Sequence, residues 1–141
     1  MDLGTLRRVA VPAIVGPYAL VVIFRSGLGP RDGARWFGFV LALLGLCGVV
    51  LARYTLGRSF SITPQARALV ISGIYSRIRN PIYVSGIVSL TGVFLMIRNP
   101  YLWIVLPLVA AAQIARARRE ARVLEEKFGD SYREYRARTW F

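Results

Sequence analysis

Four stretches of the chain are apolar and almost free of charge: Val9 to Phe24, Trp36 to Ala52, Ile82 to Ile97 and Pro100 to Ala115. The chain between and after them is polar. Helices on a soluble bundle would show an apolar stripe opposite a polar face, whereas these segments are apolar all round. A bilayer is crossed by a helix of about 17–25 such residues, so the last two stretches are on the short side. The pattern predicts an all-α polytopic membrane protein with about four transmembrane helices, forming one domain over 1–141. Two spans come first, then a loop from Arg53 to Asn80. A helical hairpin follows, and its second helix runs on beyond the apolar stretch.

Turn and cap residues refine this outline. Span 1 contains Pro12, Gly16 and Pro17, which predict a kinked or broken helix whose freed backbone groups neighbouring helices satisfy. A basic loop follows it and a small-residue cleavage site does not, so span 1 reads as a retained span and not a signal peptide. Gly38, Gly45 and Gly48 give span 2 a face that another helix can approach closely. Pro81 suits the first position of span 3, with Asn80 as its N-cap. Arg98-Asn99-Pro100 leaves room only for a tight hairpin. Span 4 continues into a charged helix from about Gln113 to Lys127, with Gly129 as its C-cap. The aromatic and basic segment Tyr132 to Phe141 is expected to lie along the membrane interface.

Charge fixes an orientation for this outline. The chain is 55% hydrophobic yet carries a formal charge of +12, so apolar and basic residues must be segregated along it. Fifteen of the 19 lysines and arginines precede span 1, lie between spans 2 and 3, or follow span 4. The other four, Arg25, Arg31, Arg35 and Arg98, fall on the opposite side. The positive-inside rule places both termini and the middle loop in the cytoplasm, as expected of the inner membrane of a bacterium or archaeon. So basic a chain can also mean nucleic-acid binding. Here the arginines border apolar spans, so anionic lipid headgroups are the expected partners and nucleic acid is not. The single cysteine, Cys47, lies mid-span and excludes an internal disulfide or a cysteine-based zinc site. There is no histidine, and no metal is expected.

Two constellations could carry chemistry. Gln113, Arg116, Glu120, Val123 and Leu124 fall on one helix face at steps of three and four. Arg116 and Glu120 stand where that helix leaves the bilayer. A solvated i,i+4 ion pair would account for them, but Arg before Glu is the poorer order for helix stability. A polar stripe emerging from a span is more often functional. The second constellation surrounds the start of span 3. Exposed amides there favour an anionic or polar group, and Tyr75 and Tyr83 flank them.

The run Leu69-Val70, Gly73, Tyr75, Arg79-Asn80-Pro81, Tyr83 and Gly86, followed by Arg116, Glu120, Leu124, Phe128-Gly129, Tyr132 and Tyr135, resembles the isoprenylcysteine carboxyl methyltransferase family. Phospholipid N-methyltransferases share much of this pattern. The resemblance covers roughly Leu56 to Phe141. It implies a membrane-embedded methyltransferase that uses S-adenosylmethionine, with the cofactor-binding loop and helix start over about 57–86. Carried over residue by residue, the cofactor contacts are Arg67, Ala68, Leu69, Val70, Tyr75, Asn80, Pro81, Ile82, Tyr83 and Glu120. Arg116 contacts the methyl acceptor, and Arg116 and Glu120 together are the catalytic pair. The implied reaction is carboxyl O-methylation of an isoprenylcysteine-like lipid at the cytoplasmic face. N-methylation of a phospholipid is the alternative, and a catalytically inactive membrane scaffold is the alternative of another class. The family usually has histidine where this chain has Asn80, and often a second glutamate where it has Ala121.

Overall fold

The computed structural model describes residues 3–26, 30, 32–56 and 69–141. Among them the protein is all-α, with helices α1 (Leu3–Arg25), α2 (Gly33–Leu56), α3 (Pro81–Ile97), α4 (Leu102–Phe128) and α5 (Asp130–Arg138), and a 3₁₀ turn over Gly73–Ser76. The four apolar stretches lie within α1 to α4 or, in the last case, begin two residues before α4. α1 runs as one helix through Pro12 and Pro17, so of the expected kink or break the break is absent. The aromatic and basic segment Tyr132 to Phe141 forms most of α5 and a short extended strip after it.

The tightest packing joins α2 to α3, and small residues make it possible. A Cβ on Gly45 would stand 2.3 Å from the Ser89 amide nitrogen, and one on Gly92 would stand 2.3 Å from that of Ala42. Gly38 meets the Gly92 carbonyl at the same seam. Close approach lets the Ser89 hydroxyl donate to the Ala42 carbonyl at 3.0 Å. Seams of small residues and hydroxyls associate helices where the surroundings are themselves apolar. α1 lies on α2, where a Cβ on Gly16 would meet the Leu46 side chain. Leu20, Ala42 and Met96 are buried where the three helices meet.

Polar pins hold the turns at one end. Asp32 caps α2, its side chain accepting from the Arg35 amide at 3.1 Å. Arg35 is 1% exposed, and its guanidinium donates to the Ile23 and Phe24 carbonyls at the end of α1. Those carbonyls have no partner within the helix, so the cation satisfies them and faces the negative end of the helix dipole. Arg98 pairs with Asp32, tying the α3–α4 hairpin to the α1–α2 turn. Two of the four minority-side arginines are therefore structural.

α2 is long and apolar enough to cross a bilayer, with a mean hydropathy of 2.1 over its best window. Shorter apolar helical segments cover Pro12–Arg25 and Pro81–Ile97. Many large apolar side chains stand exposed, among them Phe37, Leu44, Ile104 and Leu108. Exposure on this scale marks surfaces covered by lipid or partners.

The α2–α3 seam should respond sharply to added volume. Gly45→Val and Gly92→Val should each lower the thermal midpoint of the detergent-solubilised protein, by about 1–3 kcal/mol or more of stability. A Cβ placed on Gly86 would have nothing within 4 Å. Gly86→Ala should be neutral or stabilising by about 1 kcal/mol. Equal midpoints for the Gly45 and Gly86 variants would mean that the seam is not close-packed.

Candidate functional site

Pro81 occupies the first turn of α3, where its missing N–H removes no helical bond, and it is fully buried. Asn80 is the N-cap residue, but through its backbone: its carbonyl accepts from the Tyr83 and Val84 amides at 3.1 and 3.2 Å. Its side chain makes no capping bond. Helical phase then turns Tyr83 toward α4. Its hydroxyl donates to Oε1 of Glu120 at 2.5 Å, joining residues 37 apart in sequence. Arg116 lies one turn earlier on α4, with its Nε 3.6 Å from the same carboxylate oxygen. At that distance, on side chains 42% and 28% exposed, the ion pair is worth at most about 0.5 kcal/mol. It does not account for the pair's position.

The inward stripe of α4 matches the expected face. Gln113, Arg116, Glu120, Val123 and Leu124 are all partly buried, and Ala117 is buried beside them. Tyr75 sits in the 3₁₀ turn at 7% exposure. Burial pushes its hydroxyl pKa up, with Tyr135 and Glu120 adding to the shift and Arg53 opposing it. Tyr75, Tyr83, Arg116 and Glu120 thus share one neighbourhood, with Arg53 from α2 at its edge. Leu69, Val70 and Ile82 are half-buried, the first two in irregular chain leading to the turn. Arg67 and Ala68 lie outside the described residues. The site has a carboxylate, a guanidinium and two phenols around the start of a helix. That donor set suits a group carrying both ammonium and carboxylate charges beside a flat ring.

A strap that the side-chain pattern does not predict holds this loop. Trp140 and Ile78 form a parallel bridge. The Arg79 amide donates to the Trp140 carbonyl and the Asn80 amide to the Phe141 carbonyl, both at 3.0 Å. The Trp140 amide returns a bond to the Arg77 carbonyl at 2.8 Å. From α5, the Tyr135 hydroxyl donates to the Tyr75 carbonyl at 2.8 Å, and Tyr132 packs beside the Arg79 guanidinium. Backbone pairing carries little residue preference, so the strap leaves only a faint sequence signal. That signal is the β-compatible Thr139-Trp140-Phe141 after a run of helix formers.

Burial pushes the Tyr135 hydroxyl pKa up to about 12 from its ordinary value of 10.0, with Tyr132 adding and Arg79 opposing. The folded state therefore holds its proton more tightly than the unfolded state. Its contribution to stability is whole below pH 10 and is lost as pH climbs toward 12. Tyr135→Phe should cost about 1 kcal/mol at neutral pH, by removing the bond to Tyr75. It should also make the alkaline loss of stability shallower. Urea unfolding at stepped pH measures both, and an identical alkaline slope in the variant would exclude Tyr135 as a contributor.

A comparison with protein-family models matches residues 34–131 to phospholipid methyltransferase. A comparison with curated proteins finds no match. The matched region runs from the start of α2 into α5 and contains the seam, the 3₁₀ turn, Tyr83, Arg116 and Glu120. It spans well over half of the chain, which therefore belongs to the phospholipid methyltransferase family of membrane proteins.

Proposed function

We propose that the protein transfers a methyl group from S-adenosylmethionine to a lipid-borne acceptor at one membrane face, within a single domain spanning the chain. The observation that carries this reading is the bond between Tyr83 and Glu120, which brings together residues from two separate motifs. The cofactor supplies a methyl group on a cationic sulfonium. Glu120 binds its ammonium group, while Tyr75 and Tyr83 contact its flat ring and hydroxyls. The strapped segment Leu69 to Ile82, with Asn80 and Pro81 in it, forms the wall of the site, while Arg67 and Ala68 are proposed as cofactor contacts on the resemblance alone. Arg116 holds the anionic part of the acceptor with a planar fork of donors. Positioning supplies most of the acceleration in such an in-line displacement.

The family match favours a phospholipid headgroup as acceptor, with Arg116 on its phosphate. A carboxylate of the isoprenylcysteine type is the second reading, favoured by Arg116 because a guanidinium orients a carboxylate bidentately. In both readings four helices span the cytoplasmic membrane of a prokaryote, with α4 emerging on the cytoplasmic side. The termini lie on that side too. The lipid tail enters sideways from the bilayer.

The roles of the pair on α4 should separate. Glu120→Gln should weaken binding of S-adenosylhomocysteine, because a neutral amide cannot balance an ammonium. Tyr83→Phe should weaken it by about 1–3 kcal/mol, through loss of the bond that fixes the carboxylate. Arg116→Ala should leave cofactor affinity nearly intact and abolish transfer to lipid, and Arg116→Lys should restore little. Calorimetric titration beside turnover of labelled cofactor on native lipid extract measures all four. Failure of the wild-type protein to bind either cofactor form would support the inactive-scaffold reading. Wild-type turnover in Arg116→Ala would remove Arg116 from the site.

A further inference from the structure

α4 presents two faces with different chemistry at the same height. Gln113, Arg116, Ala117, Glu120 and Leu124 turn inward. On the opposite side Ile104, Leu108, Ala111 and Ala115 are exposed, and helical phase continues that line into Arg118, Arg119 and Arg122, all exposed. At about 1.5 Å per residue, Ala115 and Arg119 are about 6 Å apart along the axis. The apolar stripe therefore passes into a cluster of cations within little more than one turn.

These arginines differ from the others near the C-terminal end of the chain. Arg133 pairs with Glu125 and Asp130, Arg136 with Glu125, and Arg138 with Glu134. Among the described residues Arg118, Arg119 and Arg122 make no ion pair, and Glu126, one turn beyond on the same face, does not close on Arg122. Three guanidinium groups without carboxylate partners, directly above an exposed apolar stripe, match one partner in both charge and shape. We infer that this outer face of α4 binds anionic phospholipid, with acyl chains along Ile104 to Ala115 and phosphates at Arg118, Arg119 and Arg122.

The site is separate from the proposed catalytic pair, which turns to the other side of the same helix. It fixes the depth of that pair, because Arg116 and Glu120 share the axial level of the bound phosphates. The inference rests on α4 lying in the membrane, as the proposed function has it. It does not need the methyl transfer.

The test uses the full chain in phosphatidylcholine vesicles containing a trace of dansyl-phosphatidylglycerol or dansyl-phosphatidylcholine. Energy transfer from the protein's tryptophans reads which lipid gathers around it. The wild type should enrich phosphatidylglycerol over phosphatidylcholine, and each arginine removed should lower that enrichment on the order of fivefold. The variant Arg118→Gln/Arg119→Gln/Arg122→Gln should therefore lose it. The variant Arg133→Gln/Arg136→Gln/Arg138→Gln loses the same charge from paired positions and should keep most of it. Equal loss in the two triple variants would show a diffuse charge effect and overturn the site, as would no preference in the wild type. If the first triple variant does not fold, Arg119→Gln against Arg133→Gln makes the same comparison. S-adenosylhomocysteine binding, measured alongside, should be unchanged in all variants. Its absence in the wild type would count against the methyltransferase reading alone.

Discussion

Everything at the site depends on how closely α2 and α3 can approach. The seam has almost no side-chain volume: Gly38, Ala42 and Gly45 face Ser85, Ser89 and Gly92 nearly backbone to backbone. In an apolar solvent, burial of more hydrocarbon gives little driving force, so contact area and hydroxyl bonds such as Ser89 to Ala42 must supply it. A rigid α3 then fixes the direction in which its first turn points. Pro81, buried and locked in φ, passes that direction to Tyr83.

α3 and α4 meet far more sparsely than α2 and α3. At the end of the hairpin they are held by the Arg98 turn and the Phe94–Trp103 ring contact. At the other end, the bond from Tyr83 to Glu120 crosses between them. On the proposed function, so sparse a contact would suit a site that admits a lipid from the side and a polar cofactor from the water. The crossing also holds the Glu120 carboxylate in one place, which on the proposed function would reduce the ordering needed on binding.

The sequence tells most where the physics is local or repetitive. Apolar runs locate α1 to α4, Asn80-Pro81 marks the start of α3, and Gly129 marks the end of α4 at a φ of 51°. Helical phase puts Arg116 and Glu120 on one face of α4, and the fold shows that this face is partly buried. Two prolines do not break α1, because its neighbours and apolar length sustain a helix that proline alone disfavours. The strap is barely legible in the sequence because its bonds join backbone groups of residues about 60 apart, and side chains carry little record of the pairing. By sequence Arg35 is one of the few cations on the minority side. Only the fold reveals that it is buried against the end of α1.

Asn80 stands where the resembling family usually has histidine, and its geometry bears on which acceptor this chain can use. Its amide is engaged by the Phe141 carbonyl, and its carbonyl starts α3. The position is therefore fixed by backbone bonds that either side chain would allow. What the change removes is a titratable group, and the sequence contains no histidine. A carboxylate acceptor is already anionic and, on the proposed function, would need no base to take the methyl group that the cofactor supplies. An ammonium acceptor must first give up a proton before its nitrogen can attack. Around Tyr83 the carboxylate that could receive that proton is Glu120, already hydrogen-bonded by the Tyr83 hydroxyl. On the proposed function, a phospholipid amine would ask Glu120 both to balance a cationic cofactor group and to accept a proton. Under that proposal the two roles would compete for one carboxylate, so the acceptor's proton would leave by water before the amine is seated. Arg116 would hold the phosphate so that the neutral nitrogen lies in line with the methyl group.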